Sequence, residues 1–185
     1  NEYRKKKRAL ELKYFLDLLN KQEGEKVLEL GCSSGFLTKY LGKVTAIDTS
    51  EDMIKIAHEK NHSAKCIHAD MFEIPFKENS FDKVVTMRVW NHLDEIDFRK
   101  ALKEVKRIIK KGGIFVFDEE ESSFLRRFVA YFYQRITGIT GFTIHQYSLK
   151  ELERILNEEG FKIEEIKYLK HRVGRQIILR VKRKD

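Results

Sequence analysis

At 185 residues, with 42% apolar and 36% charged side chains, the chain is long enough for one domain, 1–185, with a sizeable core; no Pro/Ser/Gly-rich linker, low-complexity tract or repeat argues for two. Two cysteines carry no disulfide framework. The segment Leu10 to Leu19 is broken by Glu11, Lys13 and Asp17, so with no secretory signal the expectation is a cytoplasmic protein without a transmembrane segment. The formal charge of +8 gathers at the ends, with nine Lys/Arg against three acids from Phe161 to Asp185 and eight against five from Asn1 to Lys26. A flank such as Arg4 to Arg8 is either a solvated terminus or a face for RNA phosphates or an anionic membrane.

Val27 to Gly35 reads V-L-E-L-G-C-S-S-G, and helical spacing resumes from Phe36 to Leu41. This is a strand, a tight turn of small residues and a helix start, an arrangement that brings backbone N–H groups close to a ligand. The glycines stand as G-x-x-x-G, not as the G-x-G-x-x-G of a dinucleotide site. Glu29, two residues before Gly31, suits an ammonium group better than a phosphate. Val44 to Asp48 is a second apolar run ending in an acid, seventeen positions after Gly31, where a carboxylate can grip both hydroxyls of a ribose. Thr49 follows it, then Ser50 as a helix cap with Glu51 and Asp52 in the first turn, and Met53 points back toward the strand end.

Ala64 to Met71 predicts a third strand closing on Ala69-Asp70, and Ser80 to Met87 a fourth. A helix over Leu102 to Lys111, a Gly112-Gly113 turn and a fifth strand from Ile114 to Asp118 come next. Ser122 to Tyr147 crowds Phe124, Phe128, Tyr131, Phe132, Tyr133 and Phe142 into an insert. Placed over the strand ends, that insert is either a lid (122–147) or an aromatic cluster packing itself onto the domain. Leu149, Leu152, Ile155 and Leu156 mark a last helical face. Two strands, Phe161 to Leu169 and Arg175 to Val181, close the chain. Alternation of strand with helix predicts an α/β, doubly wound fold.

These stretches, in this order, resemble the motifs of the class I S-adenosylmethionine-dependent methyltransferases, of the type 11 or UbiE-like group. V-L-E-L-G-C-S-S-G is similar to the first motif with Ser33 in place of its middle glycine, and the 102–118 segment has Lys111 where proline is usual. The resemblance implies a Rossmann-like seven-stranded sheet, six strands parallel and one antiparallel near the C-terminus. It also implies S-adenosyl-L-methionine as cofactor and S-adenosyl-L-homocysteine as product. The residues it places around the cofactor are Glu29, Gly31, Cys32, Ser33, Gly35, Asp48, Thr49, Met53, Asp70, Met71 and Arg88. Asp48 inherits the ribose, Asp70 and Met71 the adenine edge, and Met53 the adenine face. For Met53 simple core packing competes with that role, and for Asp70 a turn cap does.

A sulfonium methyl is already electrophilic, so the protein has to align the acceptor and, for some acceptors, remove a proton. His92 after strand four, and His145 and Tyr147 at the end of the insert, are the candidates; for His92 a loop-orienting role is the alternative. No N/D-P-P-Y/F motif stands here, and no cysteine follows strand four or five, which disfavours a base-amino methylase and a covalent pyrimidine mechanism. The run Asp118 to Glu121 could attract a cationic acceptor or a divalent metal, but such a run is more often solvated, and no metal is expected. The expectation is a methyltransferase for a small-molecule acceptor by in-line displacement. The alternatives are an RNA methyltransferase using the basic ends and a non-catalytic subunit that binds S-adenosylmethionine.

Overall fold

The computed structural model describes residues 2–121, 147–171 and 174–185. Short apolar runs make the strands β1 (Val27–Leu30), β2 (Thr45–Asp48), β3 (Lys65–His68) and β4 (Phe81–Thr86). The longer β5 (Ile109–Glu121), β6 (Phe161–His171) and β7 (Gly174–Arg183) complete one sheet in the order β3-β2-β1-β4-β5-β7-β6. β7 runs antiparallel to both neighbours, β5 and β6, and the remaining strands are parallel. The expected α/β sheet with six parallel strands and one antiparallel is therefore present. Strand order reverses at β1 and β4, so the crevice beyond their carboxyl ends is the natural ligand position.

Five described α-helices cover the sheet: α1 (Glu2–Leu19), α2 (Thr38–Leu41), α3 (Glu51–Lys60), α4 (Glu95–Ile108) and α5 (Leu149–Glu158). Strand side chains alternate between two cores. Leu28, Val84, Phe115 and Leu179 face α4 and α5, while Val27, Val85, Val116 and Ile178 face Phe15, Leu18 and Leu19 of α1. Trp90, wholly buried, stacks edge-on against Phe98 with ring centroids 4.8 Å apart and also meets Phe115 at 4.9 Å. That anchor fixes the short 3₁₀ turn Trp90–His92 beside the end of β4. Ser50 caps α3 as expected, its hydroxyl accepting from the Met53 N–H at 3.4 Å.

The helix expected over Leu102 to Lys111 runs from Glu95 to Ile108, and the fifth strand, expected from Ile114 to Asp118, runs from Ile109 to Glu121. α4 ends at Ile108, not at Lys111, because Ile109 is already extended and pairs with Phe81. Gly112-Gly113 is consequently not a turn ahead of the strand but an irregularity within it. A Cβ on Gly113 would lie 2.8 Å from the carbonyl oxygen of Asp82, a separation only glycine tolerates. Except for Tyr147, the expected lid falls outside the described residues. Among the described residues no helix is long and apolar enough to cross a membrane.

Candidate active site

A cleft of about 410 Å³ opens beyond the carboxyl ends of β1, β2 and β4. Its floor is set by Glu29, the polar residue in an otherwise apolar β1, which is 2% exposed. Oε2 of Glu29 is buried with no hydrogen-bond partner. Burial, opposed by the Thr38 hydroxyl beside it and helped by the charge of Asp48, pushes this carboxyl up to about 8. Without a cationic partner it holds a proton at neutral pH.

The turn that follows is shaped by contacts only small residues allow. Gly31 has φ +66°, and a Cβ there would meet Val89 Cγ2 at 2.6 Å; Gly35 has φ +75°, and its Cβ would lie 2.8 Å from Ala57 Cα. Ser33 also takes a left-handed φ, +46°, so the loop keeps its shape without the usual glycine. The Ser33 N–H donates to Asp48 Oδ2 at 2.7 Å and the Ser50 N–H donates to Asp48 Oδ1 at 3.0 Å. Asp48 thus clamps the loop after β1 to the loop after β2, with lone pairs left on both oxygens. The Cys32 N–H donates to the Ile47 carbonyl at 3.0 Å, and burial raises the Cys32 thiol far above its usual range. That cysteine is a packed wall, not a nucleophile.

The remaining candidates divide. Thr49 and Met71 line the cleft; Met53 sits behind the loop, its sulfur 3.8 Å from the Ser33 hydroxyl. Asp70 is exposed and accepts from the Phe72 N–H at 2.9 Å, so it caps a turn while its neighbours Ala69 and Met71 face the cleft. His92 lines the mouth. Tyr147 is brought to the core instead: it is 8% exposed, its ring centroid lies 5.3 Å from that of Phe98, and its hydroxyl donates to the Leu93 carbonyl at 3.2 Å. Burial raises that phenol, which suits a structural hydrogen bond better than proton transfer. His145 lies outside the described residues.

Arg88 lines the cleft with a left-handed φ of +60°, and its backbone N–H donates to Asp118 Oδ1 at 2.7 Å. Its guanidinium is turned to the wholly buried Glu11 of α1, held through Nε at 3.0 Å and through Nη2. Gln176 of β7 donates to Glu11 Oε1 at 2.8 Å and to Asp118 Oδ2 at 2.6 Å. Burial pushes Asp118 up to about 6. The charge of Arg88 is therefore neutralised inside the wall. Sequence reasoning missed Glu11, Arg8, Phe36, Met87 and Val89. Of these, Glu11 had a signal, since it falls on the apolar stripe with Phe15 and Leu18.

Residues 28–117 match the family model of a methyltransferase domain. A protein of Methanocaldococcus jannaschii is 35% identical over 96 residues, 52% of this chain and 37% of that protein. A demethylmenaquinone methyltransferase of Staphylococcus aureus is 37% identical over 105 residues, 51% of this chain and 43% of that one. The chain thus spans about two-fifths of the length of these curated relatives. Magnesium protoporphyrin IX methyltransferase from Synechocystis, solved with S-adenosylhomocysteine, superposes with a TM-score of 0.77 at 18% identity, covering 99% of this chain and 87% of that chain.

Proposed function

We infer that this chain, whose residues 28–117 match the model of a methyltransferase domain, is a class I S-adenosylmethionine-dependent methyltransferase that transfers a methyl group to a small-molecule acceptor. The observation that carries this reading is the buried Oε2 of Glu29, which has no cationic partner among the described residues and only the Thr38 hydroxyl beside its carboxyl. A buried carboxyl left unsatisfied costs about 1–3 kcal/mol, and an ammonium group presented from the cleft relieves that cost. The glycine positions fit the same ligand, because Gly31 keeps the Val89 side of the cleft free of a Cβ.

When bound, the cofactor supplies an electrophilic methyl on a sulfonium. The chain's own residues do the rest. Glu29 takes the ammonium as a carboxylate, releasing its proton on binding. Asp48, with lone pairs beyond those used by Ser33 and Ser50, accepts from the ribose hydroxyls. Ile47, Ala69 and Met71 give the apolar surface for the adenine, and Met87 and Val89 exclude water from the reacting end. His92 at the mouth is the group placed to take a proton from an acceptor that must lose one.

Calorimetric titration with S-adenosylhomocysteine and with NAD tests the cofactor, and release of S-adenosylhomocysteine from metabolite and RNA pools tests the acceptor. Binding of S-adenosylhomocysteine with turnover on a small molecule supports the reading. Tight NAD binding with no response to S-adenosylhomocysteine overturns it. Binding without turnover on any pool favours a non-catalytic subunit, and turnover on RNA alone favours the RNA reading.

A further inference from the structure

The amino end of the sheet, opposite the cleft, is edged with lysines. Lys26 directly precedes β1, Lys43 stands two residues before β2, and Lys65 opens β3. Lys111 lies near the start of β5, and Lys162 of β6 stands directly opposite Lys182 of β7. Because β7 runs against its neighbours, its far end reaches this same edge. All six lysines are exposed. Among the described residues Lys26, Lys43, Lys65, Lys111 and Lys162 form no ion pair, and Lys182 only approaches Glu164 at 4.0 Å. Most acids at the edge are already engaged: Glu25 by Lys83 at 2.7 Å, Asp82 by Lys110 at 2.6 Å and Glu164 by Arg180 at 3.0 Å, while Glu23 holds no cation among the described residues. Like charges directly opposite in a sheet, as at Lys162 and Lys182, are a cost that a bound anion removes.

The edge is also concave. A hollow of about 640 Å³ beneath β1, β2 and β3 is lined by Lys26, Lys43 and Lys65. A second, of about 340 Å³ beneath β4, β5 and β7, carries Lys111 and Lys182 and shares Glu25 with the first. Seven adjacent strands spread these charges over about 29 Å. A single phosphate meets only part of such a row, whereas a polymer of phosphates follows all of it and releases its counterions. Val27, Val44 and Phe81, the apolar residues lining the larger hollow, are only 1%, 5% and 5% exposed. They offer neither a group to enter a bilayer nor a ring on which an unpaired base could stack. We propose that the amino edge of the sheet docks the phosphate backbone of a nucleic acid duplex. The cleft opens at the other ends of the same strands, about 13 Å away along β1 alone, so a duplex held here is not the methyl acceptor. The proposal stands on the charged edge and not on the cofactor reading.

The test is fluorescence anisotropy over a range of salt, with labelled RNA and DNA duplexes of about 20 base pairs, longer than the edge. Wild type is compared with a Lys26→Gln/Lys43→Gln/Lys65→Gln triple variant, a Lys111→Gln/Lys162→Gln double variant and a Lys5→Gln/Lys6→Gln control on α1. Wild type is expected to bind both duplexes, log affinity falling linearly with log salt. The triple variant should bind about 10-fold or more weakly and lower the slope by about 3, the double variant should lower it by about 2, and the control should change neither. All variants should bind S-adenosylhomocysteine as wild type does, with or without duplex, which shows that the fold is intact. Binding of RNA alone supports the proposal and restricts it to A-form geometry. Failure to bind either duplex overturns it, as does binding that both edge variants retain. Loss in the α1 control instead, or displacement of the duplex by S-adenosylhomocysteine, would put nucleic acid on the cleft side and overturn it. Edge-dependent binding to phosphatidylserine vesicles that is tighter than to either duplex would assign the edge to a membrane surface, which also overturns it. A protein that binds duplex through the edge but not S-adenosylhomocysteine supports this proposal while refuting the cofactor reading.

Discussion

Arg88 and Glu11, 77 positions apart in sequence, form an ion pair in which the two partners stand in different solvents. The Glu11 side chain is 0% exposed and that of Arg88 48% exposed. The acid is the dependent partner: alone it would be a buried charge, whereas the guanidinium alone still reaches water.

Removing the two ends should consequently have unequal effects. Arg88→Ala strands Glu11 with only the Gln176 amide and should cost about 3–5 kcal/mol in chemical denaturation. Glu11→Gln, which keeps a hydrogen-bonding group, should cost about 1–2 kcal/mol. The double variant should cost less than the sum of the singles. Equal single effects that add would show that the pair is not coupled.

Glu29 gives a pH prediction. Its carboxyl titrates at about 8 in the fold against an ordinary 4.5, so between those values the folded chain holds a proton that the unfolded chain has shed. Stability from this group is full below about pH 4.5 and is lost as pH rises toward 8. Ligand-free Glu29→Gln, which cannot ionise, should gain on wild type in thermal unfolding as pH is raised from 5 to 8.5. It should also lose affinity for S-adenosylhomocysteine. A melting-temperature difference that is flat with pH would show that Glu29 is not buried as described.

Ser33 holds a φ of +46° that an L side chain adopts at a cost. Ser33→Gly should therefore stabilise the protein by about 0.5–1 kcal/mol, read from denaturant midpoints at constant slope. A loss of stability would indicate that the weak contact of its hydroxyl with Met53 outweighs the backbone relief.

Asp48→Ala should weaken cofactor binding by about 1–3 kcal/mol. The sequence gives no reason to expect an effect on folding, yet this carboxylate also accepts from the Ser33 and Ser50 N–H groups. A modest loss of stability should accompany the loss of affinity. Unchanged affinity in the folded variant would remove Asp48 from the site.

The basic face of α1 separates the acceptor classes. Lys5 and Lys6 are exposed and lie outside the cleft lining, so their replacement by Gln should leave turnover on a small acceptor unchanged. For an RNA enzyme the same change would reduce binding and flatten its dependence on salt. Steep salt-dependent RNA binding that is lost in the double variant would favour RNA.

The βα alternation and the acids at the ends of β1 and β2 were legible because each is carried by a few neighbouring residues. Apolar runs identify strands buried on both faces, and Glu29 and Asp48 interrupt or end them. What escaped depends on partners distant in sequence. Arg4 to Arg8 reads as a solvated basic flank until the fold lays Arg8 on Phe36, 28 positions later. Tyr147 stands near the expected lid but drops into the core because Phe98 and the Leu93 carbonyl offer it both ring contact and an acceptor.

The wall of the cleft has an implication for the order of assembly. Glu11 and Gln176 touch although 165 positions separate them, and Asp118 is joined to the same amide. During synthesis the chain therefore makes every residue of the cleft lining, ending at His92, long before it makes the strand that completes the support behind Arg88. Such a non-local closure is slow relative to helix and hairpin formation. A nascent or C-terminally shortened chain would carry the whole ligand-facing inventory while leaving the carboxylates of Glu11 and Asp118 without their shared amide donor. The support behind Arg88 is thus completed last, by a strand whose described residues line no part of the cleft.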